Sequence, residues 1–260
     1  MYPTVEILQK SIPSYWLCSL LGIVICILFS LPRKKSFRML EQVDITNSAA
    51  LMCVGMIIGA RIIYLLTILP ILIRKLSFLM ENPKIAYEVL SNGMVAYGGI
   101  IGALITLYIY TGHYKLDKKA FFDFYAPIIP LFHSFGRIGC FLTGCCYGIE
   151  NHWFGIAFHC SAIAPNNIRL FPVQLLCSLL NIALFTLVLT YEKRNHLEGK
   201  AVYFYLLLYS IGRFLVEFLR GDTLRGILFG LSTSQWISVI VFIASLYILM
   251  KKFHSLTTSH

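Results

Sequence analysis

Charge is scarce in this sequence of 260 residues: 13% of it is Asp, Glu, Lys or Arg, about half the share found in soluble domains, which excludes an ordinary soluble fold. Acidic residues are scarcer still, 12 against 22 Lys and Arg, and the formal net charge is +10. The eight cysteines include no CxxC pair, and their spacing fits no common zinc pattern, so no metal and no cofactor are expected. No repeat, low-complexity tract or second domain is visible, so 1–260 reads as a single polytopic domain. No cleavable leader is expected either: the first apolar run, 12–31, is too long for a signal h-region and has no small-residue cleavage site after it. It is expected to stay as a membrane helix.

What is present is apolar, 58% of the chain. Runs long enough to span a bilayer, which takes about 20 residues, cover roughly 12–31, 47–70, 93–111, 122–142, 170–191, 201–219 and 230–250. The expected fold is therefore all-α, an integral membrane protein with seven transmembrane helices. The basic residues sit in short clusters between these runs, which is topology information and an attraction to anionic lipid; no nucleic-acid partner is expected. Twelve of the 22 fall on one side (Arg33, Lys34, Lys35, Arg38, Lys115, Lys118, Lys119, Lys193, Arg194, Lys200, Lys251, Lys252) and seven on the other. The positive-inside rule then places the N-terminus outside and the C-terminus in the cytoplasm. The one long connection, about 148–169, reads as a small extracytoplasmic cap.

In this topology four segments converge toward the outer leaflet: Arg61, then Tyr97-Gly98-Gly99, then the stretch His133 to Gly148, then Arg213 to Arg220. Arginine within an apolar run costs a few kcal/mol unless something pairs with it. Glu217 lies four residues after Arg213 and can pair with it on one helix face, whereas Arg61 and Arg137 have no local carboxylate. Guanidinium groups at that depth suit a phosphate, gripped in bidentate fashion, and a phospholipid head group is the natural anion there. The competing structural reading is an ion-pair network with Asp123 and Glu217. His133 precedes Arg137 by one turn and is a candidate general base, or a hydrogen-bonded structural histidine. Tyr97 can donate to a phosphate or leaving oxygen, or mark the membrane interface. Cys140, Cys145 and Cys146, with His152, His159 and Cys160 beyond, are a candidate metal cluster by residue type alone, but their spacing fits no common zinc pattern.

The chain resembles the prolipoprotein diacylglyceryl transferases over nearly its whole length. The family signature G-R-x-G-N-F-x-N-G-E-x-x-G is matched by Gly136-Arg137-Ile138-Gly139-Cys140-Phe141-Leu142-Thr143-Gly144-Cys145-Cys146-Tyr147-Gly148. The family's H-G-G-L-I-G is similar to Tyr97-Gly98-Gly99-Ile100-Ile101-Gly102, and its R-F-x-x-E-F-x-R to Arg213-Phe214-Leu215-Val216-Glu217-Phe218-Leu219-Arg220. Weaker echoes lie at Gly59 to Tyr64, Pro172 to Leu175 and Leu231 to Gln235. The resemblance implies transfer of the diacylglyceryl group of phosphatidylglycerol to the lipobox cysteine thiol of a prolipoprotein, releasing glycerol 1-phosphate, in the bacterial cytoplasmic membrane. It implies Arg137 and Arg213 as catalytic residues, with Tyr97 at the place of the family's histidine; His133, one turn before Arg137, is the candidate replacement base by position. Arg61, Gly98, Gly99, Gly139, Cys140, Gly144, Glu217 and Arg220 are implied as substrate-binding. The chain departs from the pattern at Tyr97, where the family has histidine, at Cys140 and Thr143 for asparagines, and at Cys145 for glutamate. Two alternatives follow: an enzyme of the same fold using phosphatidylglycerol with another acceptor, or a non-catalytic phospholipid-binding or transport protein.

Overall fold

The computed structural model describes residues 4–7, 10–91, 93–161, 163–195, 198–221 and 227–257. It is mostly helical, and the chain divides into two compact units.

The first unit comprises Met1–Arg38, Phe122–Arg225 and Ser234–His260. It begins with a hairpin, β1 (Thr4–Ile7) against β2 (Lys10–Pro13), where the sequence suggested no strands, and continues into α1 (Ser14–Lys34). The apolar stretch expected as one span over 122–142 is two helices, α6 (Lys118–Tyr125), which starts in the other unit, and α7 (Ile128–Thr143). Pro127 causes the break, since it donates no backbone hydrogen bond and biases Ala126 away from the helical region. Then come α8 (Val173–Arg194), α9 (Ala201–Val216), one 3-10 turn (Glu217–Leu219) and α10 (Thr233–Thr257). Helix α1 can lie close to α7 because Gly139 has no side chain: a Cβ there would stand 3.0 Å from the Tyr15 ring and 3.3 Å from Cys18 Cβ. The Ser178 hydroxyl donates to the Ser134 carbonyl at 3.1 Å and ties α8 to α7.

The 148–169 connection has its own small core of Phe158, Ala164 and Leu170, packed by Phe141 and Tyr147. Its strands β3 (Ile156–Ala157) and β4 (Arg169–Leu170) pair antiparallel, and Gly148 bridges to Arg220.

The second unit comprises Met39–Phe121 and Gly226–Thr233. Helix α2 (Gln42–Arg74) packs along α5 (Ala96–His113) through glycines on both sides. A Cβ on Gly102 would stand 3.0 Å from Gly59 Cα, and one on Gly59 would collide with the Gly98 carbonyl oxygen. Small residues permit this backbone-to-backbone approach where lipid supplies no hydrophobic drive. Between them lie two short helices, α3 (Leu76–Glu81) and α4 (Pro83–Ser91), where only a connection was expected, and β5 (Ile227–Leu228) pairs with β6 (Leu231–Ser232).

Among the described residues, five helical stretches are long and apolar enough to cross a membrane: Ser14–Lys34, Gln42–Pro70, Val173–Arg194, Ala201–Leu219 and Thr233–Lys251. The other two expected spans are also helical, but α5 carries Tyr97, Tyr108 and Tyr110 along 18 residues and α7 has only 16. The surface is apolar where a soluble protein's would be polar. Leu20, Leu21, Ile27, Ile57, Leu66, Ile240 and Ile243 are exposed, while Ser134, Gln174, Ser178, Asn181 and Ser210 are buried. This polarity suits lipid outside and polar contacts inside, the pattern of a multi-pass membrane protein.

Candidate functional site

The end of α7 organises the first unit's polar interior. Glycine at position 144 takes the left-handed conformation (φ 78°) and stops the helix, its N–H donating back to the Cys140 carbonyl at 3.0 Å. A side chain there would also collide with the Ser161 hydroxyl. One turn inside the helix, the Arg137 Nε–H donates to His133 Nε2 at 3.2 Å. A guanidinium has no lone pair to offer, so this nitrogen of His133 is the unprotonated one and the imidazole is neutral. His133 also stacks obliquely on Tyr209, ring centroids 5.5 Å apart.

On α9, Arg213 Nη1 pairs with Glu217 Oε2 at 2.6 Å while its Nη2 donates to the Ser234 hydroxyl at 3.0 Å. Arg220 reaches the same Glu217 oxygen at 3.6 Å. Glu217 thus serves two arginines, and Arg137, which is buried, makes no ion pair among the described residues. A cavity of about 30 Å³ lies between α7, α8 and α9, lined on its polar side by His133, Arg137, Asn181, Tyr209 and Arg213. That volume admits a water; an anion as large as phosphate requires these side chains to shift. Of the competing ion-pair network, the Glu217 half exists. Asp123 belongs elsewhere, accepting from the Gly199 and Ala201 amides at 2.7 and 3.1 Å.

The first unit therefore brings together His133, Arg137, Gly139, Cys140, Gly144, Arg213, Glu217 and Arg220. Sequence reasoning missed Asn181 and Tyr209. Asn181 was detectable as an amide inside an apolar run: it is buried, its Nδ2 donates to the Cys177 carbonyl at 2.8 Å, and its Oδ1 has no hydrogen-bond partner among the described residues. Gln174 is similar, with Nε2 on the Cys145 carbonyl at 2.8 Å. Past α7, hydrogen bonds from the Cys140 and Cys145 thiols, then the charges of Arg220 and Arg137, hold the Cys146 thiol well below its ordinary value against the cost of burial.

The remaining expected residues form a second cluster, in the second unit. Tyr97 is buried at the start of α5, next to Gly98 and Gly99, and Arg61 on α2 donates to the Gly93 carbonyl at 3.0 Å.

A family model described as prolipoprotein diacylglyceryl transferase matches residues 4–251. The chain belongs to this family. It is 34% identical over 244 residues to a phosphatidylglycerol–prolipoprotein diacylglyceryl transferase of Clostridium tetani, covering 94% of both chains. A second such enzyme, of Clostridium perfringens, is 35% identical over 242 residues, 93% of this chain and 91% of the relative. A third, from Streptococcus uberis, is 30% identical over 236 residues, 88% of this chain and 86% of its own length. The three glycine-and-arginine segments described above all lie inside the 4–251 match.

Proposed function

We infer that this chain transfers the diacylglyceryl group of phosphatidylglycerol to a prolipoprotein. The observation that carries the reading is Arg137, a buried cation without a carboxylate among the described residues, facing the same small cavity as Arg213. Burying an arginine this way is costly unless an anion completes it, and in this family the substrate brings a phosphodiester. Arg137 and Arg213 hold that phosphate and stabilise the charge that grows on it as the ester bond to glycerol breaks. Glu217 fixes Arg213 and Arg220 so that their donors point in set directions. Gly139 and Gly144 allow close backbone approach within the first unit. For the second unit, the family resemblance assigns Arg61, Gly98 and Gly99 to substrate binding and Tyr97 to hydrogen-bond donation.

His133 was expected to accept the thiol proton. Its contact with Arg137 occupies the lone pair which that role requires, so we assign it to orienting the Arg137 guanidinium. The products are a thioether on the lipobox cysteine and glycerol 1-phosphate. The working topology is seven transmembrane helices with the N-terminus outside, in the bacterial cytoplasmic membrane, the site opening to the outer face.

The deciding experiment follows label placed in the diacylated glycerol of phosphatidylglycerol into a lipobox peptide in membranes carrying the chain. Label bound to the protein but never transferred would leave only a lipid-binding protein, and label appearing on a different acceptor would redirect the enzyme reading. Topology is tested on Cys160, an exposed thiol in the cap. It should react with a membrane-impermeant maleimide in intact spheroplasts, and a Cys160→Ser chain should not label there. Labelling of Cys160 only after lysis would invert the orientation.

A further inference from the structure

The turn that closes α7 carries chemistry which the phosphate clamp does not use. Gly144 and then Cys146 both have positive φ, 78° and 56°, and the chain folds back so that the Cys145 amide donates to the Cys140 carbonyl at 3.1 Å. From α8, Gln174 holds the Cys145 carbonyl and fixes the turn. The sulfurs of Cys140, Cys145 and Cys146 consequently lie within 4.8 Å of one another, the single such grouping of His, Cys, Asp or Glu side chains among the described residues. His152, His159 and Cys160 stay outside it, His159 bonding Asn167 instead. Three thiolates at about 2.3 Å from one zinc stand roughly 3.8 Å apart, a small closure from this arrangement. All three thiols are free and partly accessible. The spacing in the chain, four residues and then none, hid a set that the left-handed turn assembles.

We propose that Cys140, Cys145 and Cys146 bind a thiophilic metal ion, zinc, whose fourth position takes the acceptor thiol. The proposal rests on the transferase reading above. Three protein ligands with one open position is the arrangement of catalytic zinc, and a thiol coordinated to such an ion is deprotonated. Three thiolates around zinc carry one net negative charge. The site also supplies what Tyr97 and His133 do not, an ionised nucleophile at neutral pH. The acceptor thiol binds the metal and its proton leaves to solvent. The zinc-bound thiolate attacks the glycerol carbon that bears the phosphate ester, and a C–S bond forms as the C–O bond breaks. The electron pair passes to the phosphate oxygen held by the arginines, giving glycerol 1-phosphate. The neutral thioether is a weak ligand and departs.

The test uses the full chain in detergent and measures metal content, cobalt spectra and transfer on the same samples. The purified protein should hold a single zinc, and the Cys140→Ser, Cys145→Ser, Cys146→Ser triple variant should hold none. Exchange into cobalt needs no variant, so folding does not enter: it should give a near-ultraviolet sulfur-to-cobalt band. Adding a lipobox peptide should strengthen that band by a fourth Co–S bond, and the same peptide with serine for cysteine should not. Wild-type protein that transfers normally yet retains no zinc after dialysis, or in which the cysteines are found as a disulfide, overturns the metal site while the transferase reading stands. A peptide that transfers but leaves the cobalt band unchanged overturns the fourth-position assignment. Metal bound without transfer to any lipobox peptide overturns the transferase reading, and the acceptor assignment with it.

Discussion

Two buried arginines in the first unit differ in one respect. Arg33, near the end of α1, is saturated: its guanidinium pairs with Glu192 at 3.0 Å, donates to the Phe124 and Asp123 carbonyls at 3.0 and 2.8 Å, and lies 4.8 Å over the Phe37 ring. Arg137 is just as buried, yet its Nε–H is spent on a neutral histidine. A cation completed by its own protein holds helices together. One left to be completed by something else marks where an anionic substrate arrives. Both lie in apolar surroundings, so burial alone does not separate them; the inventory of acceptors does.

The largest effects should come from exchanging these roles by mutation. Arg137→Ala or Arg213→Ala should lower transfer by about 100-fold or more, with the melting temperature in detergent little changed for Arg137. Lysine at 137 should rescue poorly, because the planar fork is lost. Arg33→Ala should do the opposite. It removes the buried ion pair to Glu192 and leaves two interior carbonyls without this donor, and should cost about 3–5 kcal/mol of stability, while whatever protein remains folded transfers at near the normal specific rate. Normal turnover in Arg137→Ala, or an unchanged melting temperature in Arg33→Ala, would break the comparison.

The glycines sharpen it from the second unit, where backbone rather than charge is buried. Gly59→Ala or Gly102→Ala drives a methyl into the facing helix backbone and should cost about 1–3 kcal/mol, read as lower yield and melting temperature. Gly212, on α9, has nothing within 4 Å of an added Cβ. Gly212→Ala should therefore be tolerated or add a few tenths to about 1 kcal/mol through helix propensity. Equal losses at both places would mean that the seam between α2 and α5 is not what limits the second unit.

How much of this could be read beforehand follows from what each signal depends on. Arg137, Arg213 and Glu217 were legible because charge in an apolar run is anomalous locally, and the i, i+4 pairing of Arg213 with Glu217 needs only helical geometry. Arg33 was misread as a loop cation that merely sets topology, because its completing groups, Glu192 and the carbonyls before Pro127, are far away in sequence. Asn181 and Tyr209 faced the cavity unnoticed, since a tyrosine or one amide in an apolar run is common and only the packing of α7, α8 and α9 gives it a neighbour. The break at Pro127 was visible as a proline but was smoothed over by hydropathy, which averages across it. The thiol cluster depends on two left-handed residues, one of them not glycine, which no spacing rule anticipates.

The smallest expected effect concerns His133, and it separates orienting from proton transfer. As an orienting residue, His133 gives Arg137 one acceptor, Nε2 at 3.2 Å. Glutamine can offer its side-chain oxygen at a similar reach, so His133→Gln should keep most of the rate and leave the pH profile of transfer unchanged in shape. Alanine cannot, and His133→Ala should lower the rate roughly tenfold, about the worth of one charge-assisted hydrogen bond, mainly through a raised KM for phosphatidylglycerol because the guanidinium is no longer aimed. A general base behaves otherwise: its removal by glutamine erases the acidic-side inflection of the profile and costs kcat, since glutamine accepts hydrogen bonds but takes no proton near neutrality. Loss of that inflection in His133→Gln would return the histidine to proton transfer. It would also require phosphate binding to draw Arg137 off Nε2 before the thiol can ionise.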